Sequence, residues 1–351
     1  MVTETVQVAE TPATSVDRRQ AARQDEEAWQ VTRRHGPTSY YGLPVLKDPR
    51  WGWQIPVYFF AGGLASGSYL IATMADLFGS REDRAVSRAG RYIALLALVA
   101  SPVLLILDLG RPSRFTHMLR VLKVRSPMNL GTWGLLGFGI FAGMGILRQW
   151  VEDGLVSRSS ALARALGWMP LQVSGVLGSL LAFFVGSYTG VLISFTNAPI
   201  WAKNRLLQGP LFLASALSSG ISAVTLWLTL AGQSNPHTER WMKQLEDTVV
   251  MGEAAATVGT IATLGPLARP MVAGRYAAAL WLGAVGMGNV LPLVLRRIED
   301  SVHVGARRAL RIARGISSLT GSLIFRWVDA RLAGPAIEDP GFYFAFTRGR
   351  D

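Results

Sequence analysis

Asp108 closes an apolar run at Leu107–Phe115, LDLGRPSRF, while Glu253, Asn289, Arg326 and Asp329 interrupt other apolar stretches. Ionisable groups at lipid depth are costly and are functional candidates by default. In LDLGRPSRF, Gly110 suits a helix C-cap and Pro112 cannot continue the helix. Arg111 and Arg114 then stand at the negative end of the helix dipole, which favours cations and disfavours Asp108. Asp108 therefore needs a partner, for which Arg111 three residues on is suitable. Two readings of the segment stand: a cap with a salt bridge, or a rigid polar corner at the lip of a ligand pocket. Tyr188, inside GSYTG, carries a hydroxyl that needs a partner in lipid. Arg326 and Asp329, three apart, are expected to pair. Glu253, in VVMGEAAATVG, reads first as a residue facing its loop and second as part of a proton path.

Some chemistries drop out. The chain has no cysteine, so thiolate-held iron–sulfur clusters, disulfides and a cysteine nucleophile are excluded within it. Its four histidines, His35, His117, His237 and His303, fall in the tail or in expected loops, so axial haem ligation inside a helical bundle is not expected and no metal site is assigned. The net charge of +12 would ordinarily point to nucleic acid. Here the arginines lie between apolar runs, as in membrane proteins, and no nucleic acid partner is expected.

The elements that must position these residues follow from the uncharged blocks. Only 17% of the 351 residues are charged and 50% are hydrophobic. A soluble domain carries about 25% charged residues. A crossing takes about 20 apolar residues, and eight spans are expected: Gln54–Phe78, Arg91–Leu109, Leu130–Leu147, Leu171–Phe195, Leu206–Gly232, Val249–Ala268, Tyr276–Leu295 and a weaker Gly315–Leu332. The reading is an all-α integral membrane protein, an eight-transmembrane-helix bundle in two four-helix halves. A polar N-terminal tail occupies 1–50, with a short helix around Asp17–Arg34, and a C-terminal tail occupies 334–351. Gly63 and Gly67, Gly139 and Gly143, and Gly186 and Gly190 are spaced for close backbone approach in lipid. The basic residues number 16 on the terminal side and 15 opposite, so the positive-inside rule does not set the orientation. Between the second and third spans, Pro127 with Ser126 or Asn129 is helix-start chemistry. The connection before it is a basic, structured loop that suits lipid headgroups or an acidic partner protein equally.

Four segments in order, YYGLPVLKDPRWGWQIPVYFFAGGLASGSYL, DLGRPSRFTHMLR, SPMNLGTW and SYTGVLISFTNAPIW, resemble the NrfD/PsrC family of polysulfide reductase-like membrane subunits. The resemblance is strong over roughly Tyr40 to Trp201 and continues weakly to GFYF at Gly341–Phe344. It implies an inner-membrane, multi-pass bundle of eight helices that binds a quinone and carries neither haem nor iron–sulfur cluster. Menaquinone is expected over ubiquinone. The implied partners are a four-cluster ferredoxin-like iron–sulfur subunit and a molybdopterin catalytic subunit, with membrane lipid around the bundle.

By the same resemblance the quinone pocket involves Trp51, Trp53, Gln54, Asp108, Arg111, Asn129 and Tyr188. A quinone headgroup wants donors to its two carbonyls on an aromatic bed, and its reduction takes up two protons. Asp108 and Glu253 are the proton-path candidates; Gln54 is neutral, which counts against a proton role for it. Trp51 and Trp53 also suit a plain interfacial belt. Arg114, His117, Arg120, Lys123 and Arg125 are the candidates for docking the partner. The competing reading is a solute or ion transporter, against which no convincing repeat between the halves is seen.

Overall fold

The computed structural model describes residue 46 and residues 51–299, 301–338 and 340–347. Most of the expected N-terminal tail, including the helix expected around Asp17–Arg34, lies outside the described residues. Among the described residues, seven helices are long and apolar enough to cross a membrane. The long helices are α1 Gln54–Phe78, α2 Arg84–Asp108, α3 Pro127–Glu152, α4 Leu171–Ser194, α5 Arg205–Leu230, α6 Pro236–Leu264, α7 Ala279–Glu299 and α8 Val304–Asp329. The first twelve residues of α7, Ala279–Val290, are π-helical.

The expected eighth apolar span differs. Only Gly315–Asp329 of that span is helical, as the second half of the longer α8, which also carries Arg307, Arg308, Arg311 and Arg314, so α8 has the length of a crossing without the composition. Two other helices begin earlier than hydropathy places them. At the start of α2, Ser80 and Asp83 cap each other reciprocally, Asp83 Oδ2 accepting from Ser80 N at 2.8 Å. Asp83 is held in turn by Thr238 Oγ1 at 2.6 Å and Trp241 Nε1 at 2.9 Å. Asn235 caps α6 by accepting from Thr238 N at 2.8 Å, with Pro236 in the first turn. These polar turns are helical because partners on other elements satisfy them.

α1 and α5 form the centre of the bundle. In their most apolar stretches 72% and 67% of residues are buried, against 33% for α2 and 22% for α6. α1 packs on α2, α4 and α5; α5 packs also on α6 and α8; α3 packs on α4 and α7 on α8. The lipid-facing side of α2 is an exposed stripe of Leu96, Val99, Val103 and Leu107. At the end where α1 begins, the helices Ala333–Glu338 and Pro340–Thr347 pack over the short helix Pro199–Lys203, and Ala333, Ala336 and Ile337 are buried.

The glycine spacing marks helix contact selectively. The Cβ position of Gly67 is filled by the Ala216 backbone, and that of Gly220 by the Gly67 backbone, so α1 and α5 touch main chain to main chain. Gly186 and Gly190 of α4 meet Ser66 and the Gln208 backbone. Gly139 and Gly143 are not close-contact positions: the first has only Leu98 near it at 3.9 Å, and the second nothing within 4 Å. Overpacking a close contact costs about 1–3 kcal/mol. Gly220→Val is therefore expected to lower the unfolding midpoint of the detergent-solubilised protein, while Gly143→Val leaves it unchanged; a thermal melt of both variants checks this.

Candidate functional site

The end of the bundle carrying the start of α1 and the end of α2 brings several of the sequence candidates together. Gly52 lies directly against Asp108 and Gln54; a methyl group on it would come within 2.9 Å of Asp108 Oδ1 and overlap the Gln54 side chain. The lack of a side chain at Gly52 thus lets the entry of α1 reach the exit of α2. Asp108 is half-buried, Arg111 is exposed, and the ion pair expected between them does not form. The backbone instead leaves α2 with Leu109 extended and Arg111 at φ −135° and ψ 86°, which carries Arg111 into the loop. Pro112–Leu119 then forms a 3₁₀ helix with Arg114 and His117 exposed, and Arg120, Lys123 and Arg125 are exposed beyond it.

Asn129 holds that loop in place. Its Oδ1 accepts from Lys123 N at 2.6 Å and its Nδ2 donates to Met118 O at 2.9 Å. Ser126 caps α3 by accepting from Asn129 N. Both ends of the Asn129 amide are therefore engaged in positioning. Tyr188, on α4, is buried; its hydroxyl donates to the Pro127 carbonyl in the first turn of α3, and its ring fills the space over Gly131 and stacks on Phe184 at 5.2 Å. The neighbouring-helix hydrogen bond that a phenol in lipid demands is thus present, and it fixes α3 to α4 beside the loop.

The two tryptophans separate. Trp53 is exposed, as an interfacial residue would be. Trp51 turns inward and stacks on Trp201 at 5.3 Å with an angle of 13° between the ring planes, with Phe59 edge-on at 6.0 Å. Trp201 is almost fully buried and donates from Nε1 to Asp329 O at 3.2 Å. The lip of the site is therefore continuous with the interior.

That interior holds a polar cluster whose members are scattered in the sequence. Arg326 is completely buried. Its Nη1 donates to Ser215 Oγ at 3.0 Å, to the Ser322 carbonyl at 3.2 Å and to the Ser322 hydroxyl. The guanidinium occupies the space left by the missing side chain of Gly63 and lies 5.8 Å from the centre of the Phe212 ring. Asp329 accepts from Gln208 Nε2 at 2.7 Å rather than closing a simple pair with Arg326, although the two charges interact. Asn204 extends the network, donating to Gln208 Oε1 at 2.6 Å and Thr260 Oγ1 at 3.2 Å. Glu253 is buried in α6, near Asn289 and close enough to Arg326 for their charges to interact. The reading of Glu253 as a residue facing its loop is thereby corrected: α6 runs on to Leu264, so Glu253 falls inside the bundle rather than at its edge. Sequence reasoning noticed Glu253, Asn289 and Arg326 one at a time but missed Gln208, Asn204, Thr260 and the serines. Gln208 and Ser215 carried one signal, polar residues at helical spacing on α5; Asn204, Thr260 and Ser322 carried none.

Among the described residues no group of three or more metal-ligating side chains is close enough to hold a metal ion. Fold and site together define a multi-pass helical membrane protein with a polar corner at one end and a buried charged cluster behind it. Residues 47–328 match the family described as "Polysulphide reductase, NrfD", and the protein belongs to that family. It is 30% identical to a polysulfide reductase chain of Wolinella succinogenes over 78% of its own length and 93% of that relative. It is 25% identical to protein NrfD of Escherichia coli over 70% and 84% of the respective sequences. It is 24% identical to a selenate reductase subunit of Mesobacillus selenatarsenatis, over 83% and 75%. The protein is thus similar to membrane subunits of oxidoreductase complexes.

Removing the Asn129 amide frees two loop groups, worth about 1–3 kcal/mol of local stability. Asn129→Ala is expected to speed trypsin cleavage at Lys123 and Arg125 severalfold without unfolding the bundle; a timed digest followed by mass spectrometry measures it.

Proposed function

We propose that the protein is the membrane-anchoring, quinone-binding subunit of a multisubunit oxidoreductase of the inner membrane. It exchanges electrons between the quinone pool and a partner iron–sulfur subunit that serves a molybdopterin catalytic subunit. The observation carrying this reading is the meeting of Gln54 and Asp108 at Gly52 beside the basic loop. Among the described residues Asp108 forms no ion pair, so its carboxylate is left to face a ligand at that corner. The residues fit a quinone headgroup: Gln54 and Arg111 supply donors for its carbonyl oxygens, Trp51 and Trp53 an aromatic bed, and Asp108 a carboxylate for proton exchange. Asn129 and Tyr188 serve by fixing the loop and the α3–α4 wall against which the ring would lie. When bound, the quinone supplies the two-electron, two-proton chemistry that this cysteine-free protein lacks.

A relative 23% identical over 58% of this sequence is named an Hdr-like menaquinol oxidoreductase integral membrane subunit, from Archaeoglobus fulgidus, which supports menaquinone over ubiquinone. In this reading α8 completes eight crossings, as two four-helix halves, α1–α4 and α5–α8, that meet along α1 and α5. The exposed Arg114, His117, Arg120, Lys123 and Arg125 form the docking face for the iron–sulfur subunit. Asp108 exchanges protons at the site and Glu253 belongs to the path behind it.

Two experiments test this reading. Asp108→Asn is expected to lower quinol turnover of the purified complex at least about a hundredfold, the lower end of what one proton-transfer group contributes, with the partners still bound. Tyr188→Phe is expected to cost less, because it loosens a wall rather than removing a reacting group. Unchanged turnover in both variants refutes the site. Charge reversal of Arg120, Lys123 and Arg125 to Glu is expected to release the iron–sulfur subunit during affinity purification while the bundle stays in the membrane.

A further inference from the structure

The connection from α3 to α4, residues 154–170, is at the end of the bundle opposite the polar corner and takes no part in the site described above. Its course is set by the protein at both ends. Asp153, where α3 finishes, accepts from Tyr92 Oη at 2.8 Å and Gln149 Nε2 at 3.0 Å, with Arg88 at 3.2 Å. Gly154 takes φ 78°, a conformation that favours glycine, and the turn brings Leu155 N to Trp150 O at 2.9 Å. Ser160 caps the short helix Ala161–Gly167 by accepting from Ala163 N at 3.1 Å. At the far end Arg148 of α3 donates to Leu166 O at 2.6 Å, to Met169 O and to Ser174 Oγ at 2.8 Å. One guanidinium thus ties the end of the short helix to both α3 and α4.

A segment held in this way presents a fixed outer face. Leu166 is buried against the bundle, while Ala161, Leu162, Ala165 and Trp168 are exposed. At about 100° per residue these four share one side of the helix. Trp168 is 86% exposed, more than any other large apolar side chain among the described residues, and Leu155, just before the helix, is exposed too. Arg158 and Arg164 flank this apolar face; both are exposed and form no ion pair among the described residues. Asp153 is already engaged, and the sequence has no acidic residue from 154 to 238. The lipid-facing stripe of α4, Val173, Val176, Leu177, Leu180 and Phe183, begins shortly beyond Trp168. The short helix is therefore at the level where hydrocarbon gives way to headgroups.

An apolar helix face with tryptophan at its edge suits the boundary between headgroups and acyl chains. Arginines beside such a face attract lipids whose headgroups carry net negative charge, each worth about fivefold in surface affinity. A partner protein is the less suitable occupant, because the face continues the lipid-facing stripe of α4 and the loop assigned to partner docking is at the other end of the bundle. We propose that residues 154–170 form an anchor in the headgroup layer that binds anionic phospholipid, with Leu162 and Trp168 in the acyl boundary and Arg158 and Arg164 on the lipid phosphates. Through Arg148 the bound lipid holds the end of α3 to the start of α4. Tyr188 and Pro127 join the same two helices at the corner, so the pair is fastened at both faces of the membrane. The anchor does not need the quinone assignment.

The test uses the full chain in lipid nanodiscs. Because the chain has no cysteine, Leu162→Cys and Ser159→Cys each give a single site for a spin label. Power saturation with oxygen, which concentrates among acyl chains, and with a water-soluble nickel chelate reads the depth of each label. In discs containing phosphatidylglycerol the label at 162 is expected to be open to oxygen and shielded from nickel, and the label at 159 the reverse. In discs of phosphatidylcholine alone, with or without inorganic phosphate, the label at 162 is expected to become severalfold more accessible to nickel. Arg158→Gln with Arg164→Gln is expected to abolish that difference between the lipids, and Arg158→Lys with Arg164→Lys to keep it. Equal nickel access at 159 and 162 in phosphatidylglycerol overturns the anchor, and equal access at 162 in the two lipids overturns the choice of anionic lipid. Shielding of 162 that appears only when soluble subunits are bound assigns the face to a protein and likewise overturns the proposal.

Discussion

A guanidinium without water around it is the constraint on which the rest of this bundle depends. Burying an unpaired charge costs many kcal/mol unless neighbouring groups replace its hydration. Arg326 meets part of that demand through Nη1, which bonds hydroxyls from α5 and its own helix, and part through the charges of Asp329 and of Glu253 from α6; its Nε and Nη2 have no hydrogen-bond partner among the described residues. It also needs room, which α1 gives by having glycine at position 63. Four helices are thereby fixed in register by one side chain, and the two that bury most surface, α1 and α5, are among them.

The polar corner depends on the same arrangement. Trp51 reaches the interior by stacking on Trp201, and Trp201 is tied to the Asp329 backbone at the end of α8. The entry to α1 is therefore anchored to the buried cluster rather than floating at the lipid surface. From there Gly52 sets Gln54 against Asp108, and the Asn129 and Tyr188 hydrogen bonds fix the basic loop and the start of α3. Such a corner is rigid because Asn129 and Tyr188 are held by main chain from another segment. A rigid rim of this kind suits a site that must hold a diffusing ring in a fixed position next to a partner protein.

Much of the fold could be read along the sequence. Long uncharged blocks can only be helices in lipid, because backbone groups there must be satisfied within the segment. Gln54–Phe78 follows directly from that rule. Where reading fell short, long-range partners were the reason. Asp83 begins a helix only because Thr238 and Trp241 hold it, 155 and 158 positions away. Val304–Asp329 is a single long helix despite its arginines because Arg311 is matched by Glu239 on α6 and Glu299 on α7. Ionic groups that look disqualifying in a hydropathy pattern become admissible once opposite charges arrive from elsewhere.

Residue order and type were enough to set the helical membrane class, the abrupt end of α2 at LDLGRP and the absence of any thiolate chemistry, since these follow from local sterics, transfer cost and composition. Tertiary structure alone decided which polar groups share a space. Asp108 turned toward the α1 entry instead of Arg111, Glu253 turned inward to Arg326, and serines with no distinguishing mark in the sequence lined up between α5 and α8. A helix presents every face equally until neighbours pack against it. The face that becomes interior, and so the set of charges that must satisfy one another, exists only when the bundle is assembled.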